Sequence, residues 1–179
     1  MKSFFTSDTH FGHERVLVHD KRPFANVDEM DNTIIENWNK VVGERDEVYH
    51  VGDFCFRSAK SAEWYLNQLN GRIHIVWGNH DDHGKNCAWK YRQHFASYQD
   101  YKYFRLNGQK IALLHYKMQV WRSSHHGSWH LFGHSHGNLE SGPGKCLDVG
   151  TMCHGYRPIS FEEAEAYMCT RGPTFHHSV

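Results

Sequence analysis

Ser7-Asp8-Thr9-His10-Phe11-Gly12-His13 follows directly on a short apolar run, Ser3 to Thr6, that reads as a buried strand. A carboxylate and an imidazole two positions apart leave the same face of an extended chain, so Asp8 and His10 can aim at one point. Working outward, Gly52-Asp53, Gly78-Asn79-His80-Asp81, Leu114-His115 and Gly133-His134-Ser135-His136 follow in order. Each lies where an expected strand runs into a loop. Asp8, Asp53, Asn79, His10, His115, His134 and His136 together offer carboxylates, an amide oxygen and imidazoles. That set is enough for two divalent cations sharing a bridge.

The elements between these pieces have a simple rhythm. Val27, Met30, Ile34, Trp38 and Val41 fall on one helical stripe, predicting a helix over 27–42 opened by Asn26 with Glu29. Strands are expected over 46–51 and 72–77. Between them a helix capped by Ser58 carries Ala62, Tyr65, Leu66 and Leu69 and stops at Asn70-Gly71. Strands alternating with helices point to a βαβ sheet with ligands at the carboxyl ends of its strands. The second half is richer in strand: 98–106 and 110–115 flank the hairpin signal Asn107-Gly108, and 129–132 and 145–149 follow. Ser160 with Glu163 opens a last helix through Met168. The polar, aromatic stretch from Tyr116 to Ser128 reads as a wall of the site. One domain over 1–172 is expected, with 173–179 a disordered tail.

Composition narrows the partners. The 179 residues carry 20 Lys and Arg against 20 Asp and Glu, so long nucleic acid and anionic membranes are not favoured. No membrane span or signal peptide is read, and the cysteines, five in number and without a Cys-x-x-Cys pair, predict neither a disulfide partner nor a structural zinc site. A reducing cytoplasm is the expected location. Histidine is abundant at 17 residues. His19, His50, His74, His83, His94, His130 and His154 have no motif support and read as surface or hydrogen-bonded structural residues.

Over nearly its whole length the chain resembles the calcineurin-like metallophosphoesterases, through Asp-x-His, Gly-Asp, Gly-Asn-His-Asp, His and Gly-His-x-His. It is most similar to the small, cap-less bacterial and phage members; Arg22-Pro23-Phe24 and the segment Gly155 to Ser160 also match that subgroup. The resemblance implies a four-layer α/β/β/α sandwich of two mixed β-sheets flanked by helices, with 27–42 and 58–70 covering one sheet and 160–169 the other. It implies Asp8, His10 and His136 on a first metal, Asn79, His115 and His134 on a second, and Asp53 between them. A bridging carboxylate can use its two oxygens to hold cations about 3.5–4 Å apart. Without a thiolate, the ligands favour manganese, with iron, zinc or nickel also fitting.

The same resemblance makes His80 the acid that protonates the leaving group. Related phosphatases carry an Asp three residues after the bridging Asp to orient that His; here the position is Phe56. Arg57 matches a phosphate-binding arginine, and His13 could reach the bound phosphate; a solvated arginine and a surface histidine are the plainer readings. Asp81 reads as structural as readily as catalytic. The expected enzyme is a phosphoesterase using a metal-bridging hydroxide, with phosphodiesters such as cyclic or short nucleotides favoured as substrates. Phosphomonoesters, nucleotide pyrophosphates and an inactive binding scaffold of the same fold are the alternatives.

Overall fold

Side chains alternate along β1 (Ser3–Thr6): Phe4 joins a core shared with helices, while Phe5 joins a core shared with a second sheet. The computed structural model describes residues 1–139 and 142–173. β2 (Glu47–His50), β3 (Arg72–Val76) and β4 (Ser97–Gln99) extend β1 as parallel neighbours. β5 (Lys102–Leu106), β6 (Gln109–Leu113), β7 (Trp129–Phe132) and β8 (Cys146–Asp148) form the second sheet, antiparallel at its first pair and parallel after it. β9 (Ile159–Ser160) returns antiparallel to β1. Both sheets are therefore mixed, and Phe5, Tyr49, Val51 and Val76 meet Ile111, Leu113, Leu131 and Val149 between them.

A short α1 (Val16–His19) precedes α2 (Val27–Val41). α2 opens as its sequence implies, with the Asn26 side chain accepting from the Glu29 amide. Met30, Ile34 and Trp38, four apart, are wholly buried against Phe4, Val48 and Ile75, each worth about 1.5–3 kcal/mol of burial. The indole of Trp38 donates to Asn70 O at 3.0 Å.

Three expectations need correction. α3 (Ala62–Leu66) is capped by Ser61, not Ser58. Ser58 is buried and its hydroxyl hydrogen-bonds Tyr65 Oη at 2.9 Å. The strand expected over 98–106 is two strands, because the chain crosses from the first sheet to the second at Asp100-Tyr101. The hairpin at Asn107-Gly108 stands, with φ of 49° and 83°, the left-handed pair a tight two-residue turn requires.

The third concerns α4 (Phe161–Cys169), opened by the Ser160–Glu163 capping box. It does not cover the outer face of the second sheet. It packs at the edge of the sandwich against β1, β8 and β9, and its Phe161, Ala164 and Met168 join the core between the sheets. The outer face, Ala112, Phe132 and Cys146, is covered instead by Trp121 and Met118 from the 116–128 loop. The expected tail, apart from Pro173, lies outside the described residues. Among those described, no helix is long and apolar enough to cross a membrane, and all five cysteines are free.

Candidate metal centre

β1, β2 and β3 end side by side, and β6 and β7 end beside them, so five loops meet at one edge of the sandwich. The loop after β1 carries Asp8 and His10, that after β2 Asp53, that after β3 Asn79 and His80, and those after β6 and β7 His115, His134 and His136. The chain is not extended there. Asp8, His10, Asp53, His134 and His136 all have left-handed backbone, with φ between 49° and 66°. Such conformations cost free energy in residues with a Cβ and persist only where surroundings enforce them.

The enforcing contacts are visible. Buried Asp81 accepts from the amides of Asp53, Phe54 and Gly78 at 2.8 Å each, pinning two ligand loops together. Burial and the neighbouring Asp53 charge push its pKa up, while those three donors favour the charged form. Asp148 accepts from Ser135 Oγ and the Gly137 amide and so shapes the turn between His134 and His136. A Cβ on Gly133 would stand 1.9 Å from Ser7 Oγ and 2.4 Å from Asp8 Oδ2, so only glycine lets this loop lie on the first motif.

Two groups of donor atoms result: Asp8, His10 and His136, and Asp53, His115 and His134. Nε2 of His136 is 3.3 Å from both Asp8 Oδ1 and His10 Nε2. In the second group His115 Nε2 is 3.1 Å from Asn79 Oδ1. Asp53 joins the groups, its Oδ2 lying 3.5 Å from His10 Nε2 and 3.4 Å from His115 Nε2. Atoms about 2.1 Å from one cation, at tetrahedral to octahedral angles, stand roughly 3.0–3.4 Å apart. The spacings are those of ligands around cations.

The remaining valences are consistent with that use. His115 Nδ1 faces the Val51 carbonyl at 2.8 Å and His136 Nδ1 faces Asp20, which leaves each Nε2 lone pair for the centre. Against burial, the hydrogen bonds of His136 to Asp20 and Asp8 raise its pKa to about 10, so the two carboxylates around it favour a cation at this corner. Asp53 differs from the two-oxygen bridge expected from sequence. Its Oδ1 accepts the His80 amide at 2.9 Å, so only Oδ2 faces both groups.

Asp20 and Arg22 drew no role from the sequence. Buried Arg22 donates to the carbonyls of Asp8 and Thr9 at 2.9 and 3.1 Å and lies 3.4 Å from Asp20. It therefore braces the left-handed turn at Asp8 and the carboxylate behind His136 at once. The one visible signal was Arg22-Pro23-Phe24, whose Phe24 packs edge-on against Tyr156.

His80 lies beside the first group, its ring 5.3 Å from that of His10. Phe56 packs 4.2 Å from it, so an aromatic face stands at the position where the resemblance leads to the expectation of a carboxylate. Burial lowers the His80 pKa, opposed by the charge of Asp53. The half-buried ring of His13 sits against His10 and Phe56, and burial lowers its pKa to about 4. Arg57 is exposed with its guanidinium 5.1 Å from the Phe56 ring. No hydrogen bond or ion pair joins it to either group among the described residues. Tyr116 lies edge-on to both His115 and His134, so the start of its loop lines the site while Met118 and Trp121 cover the second sheet. His50, His74, His130 and His154 are hydrogen-bonded structural residues.

Comparison with known proteins agrees with this geometry. Residues 1–150 match the calcineurin-like phosphoesterase superfamily domain. An uncharacterized protein of Methanocaldococcus jannaschii is 34% identical over 169 residues, covering 90% of this chain and 88% of its own. The gene 66 protein of Mycobacterium phage L5 is 37% identical over 83 residues, 44% of this chain and 39% of its own. A crystal structure of a protein of unknown function from Aquifex aeolicus superposes with a TM-score of 0.70 at 26% identity, over 93% of this chain and 98% of that one. The chain belongs to the calcineurin-like phosphoesterase superfamily, hydrolases of phosphate esters that depend on divalent metal ions.

Proposed function

We propose that the chain is a binuclear phosphodiesterase acting on small diesters such as cyclic or short nucleotides. Asp8, His10 and His136 would hold one cation, Asn79, His115 and His134 the other, and Asp53 would serve both. The observation that carries the reading is the position of Asp53 Oδ2, 3.5 Å from His10 Nε2 and 3.4 Å from His115 Nε2. Imidazole and carboxylate without thiolate suit manganese, with iron, zinc or nickel as substitutes.

When bound, the ions supply Lewis acidity toward the phosphoryl oxygens and acidify a water that serves as nucleophile. The protein's own part is positional. Asp20, the Val51 carbonyl and Arg22 keep the ligand imidazoles and the Asp8 turn in place before substrate arrives. His80, held against Phe56, would protonate the departing oxygen, a role its burial opposes and the neighbouring Asp53 charge supports. His13 lines the site beside it, and Arg57 can swing from Phe56 to grip a phosphate oxygen. Water as nucleophile means that no phospho-enzyme forms.

The test is hydrolysis of bis-p-nitrophenyl phosphate against p-nitrophenyl phosphate with added manganese. Faster turnover of the diester, abolished by chelation and restored by metal, is expected. Faster turnover of the monoester would reassign the chain as a phosphomonoesterase, and inertness toward both with every metal would make it a scaffold.

A further inference from the structure

A cleft of about 640 Å³ opens beside the second ligand group, lined by its Asn79 and by Tyr116, which packs on His115 and His134. Its other walls include Trp77, Trp89, Asp82 and Asp100. The two indoles lie 5.1 Å apart at 60°, and Trp89 and Tyr116 leave 42% and 46% of their surface exposed. Arg92 lies over the Trp89 ring at 5.2 Å, and the aromatic surface left exposed beside the reactive centre is suited to stacking a flat ring. The polar groups restrict which ring. Asp82 and Asp100 are both exposed; Asp82 pairs with His83, whereas Asp100 has no ion pair among the described residues. Carboxylates only accept hydrogen bonds at neutral pH, so they recognise a ring edge that donates. Among the described residues no lysine or arginine lines the cleft. A second phosphate would meet Asp82 and Asp100 and no cationic side chain among the lining residues.

Building on the phosphoesterase reading, we infer that this cleft seats an amino-bearing nucleobase, so that the substrate is a nucleotide ester with a single phosphate and not a polyphosphate or a longer strand. Guanine fits best, because its ring N–H and amino group donate from one edge toward one carboxylate. Trp89 and Tyr116 supply the stacking faces, and Asp100 the acceptor.

Binding to the manganese-loaded protein tests this without turnover, by calorimetry with guanosine 5′-monophosphate, inosine 5′-monophosphate, ribose 5-phosphate and phosphocholine. Guanosine monophosphate is expected to bind about tenfold or more tighter than ribose 5-phosphate. Trp89→Ala should remove most of that gap. Asp100→Asn, an exposed change that spares the fold, should bring guanosine monophosphate to the level of the inosine compound, which lacks the amino group. Equal affinity for guanosine monophosphate and ribose 5-phosphate would overturn the inference, as would tighter binding of phosphocholine. If the gap is present but bis-p-nitrophenyl phosphate is not hydrolysed, the cleft assignment stands and the hydrolytic reading fails.

Discussion

The two ligand groups share Asp53 yet are built differently. In the first, Asp8 and His10 are buried, Ser7 and the His134 amide hold Asp8, and Asp20 stands behind His136 with Arg22 behind Asp20. In the second, only His115 is similarly braced, by the Val51 carbonyl. His134 is exposed and its ring rests edge-on against Tyr116 with no hydrogen-bond partner among the described residues. A ligand whose orientation is set beforehand loses less freedom on binding. The first site should therefore hold its ion more tightly, and the second, which borders the cleft lined by Trp89 and Tyr116, should exchange its ion more readily.

Neutralising the shared carboxylate weakens both groups. Asp53→Asn is expected to reduce phosphodiester turnover to background with the far-ultraviolet circular dichroism unchanged; full activity would refute the shared role. His134→Ala, which removes an exposed ligand, should leave one ion per chain by elemental analysis and abolish turnover. Asp20→Ala touches no ion directly. It should weaken the tighter site by about 10–100-fold while the weaker site is little changed, read by competition with a chelating dye. Equal loss at both sites would mean that the bracing does not distinguish them.

Away from the ligands the expected effects are on stability. Burial holds His50 down to about 3 and His130 down to about 4. Both are neutral in the folded chain but take a proton when unfolded, near pH 6.5. Their contribution is complete above that pH and is lost as pH falls toward 4 and 3, so the metal-free protein should unfold in acid at progressively lower urea concentration. Glu163→Ala should cost only about 1 kcal/mol, the usual worth of a cap, in thermal unfolding. The Arg157 pair and the Ser160 amide hold Glu163 down to about 2, so its small contribution is present above about pH 4.5 and is lost as pH falls toward 2. The pair is partly exposed and adds little.

What could be seen in the sequence follows from how local each cause is. α2 was legible because Met30, Ile34 and Trp38 repeat every four residues and Asn26 caps locally. The ligand set was legible because every ligand but His115 sits in a short motif with its own glycine. The bracing was not, since Asp20 meets His136 across 116 positions and Arg22 meets carbonyls, which have no residue type. The crossing at Asp100-Tyr101 was hidden because strand-forming residues continue through it, and pairing partners alone decide which sheet each half joins. α4 was found, but its place at the sandwich edge depends on which core has room for Phe161 and Met168.

The most direct test of the unequal, bridged centre is a titration of metal-stripped protein with manganese by calorimetry. Two ions per chain binding in two resolved steps, the first tighter and selectively weakened in Asp20→Ala, is the predicted result. A single step of one ion, or two identical steps that Asp20→Ala leaves unchanged, would contradict it.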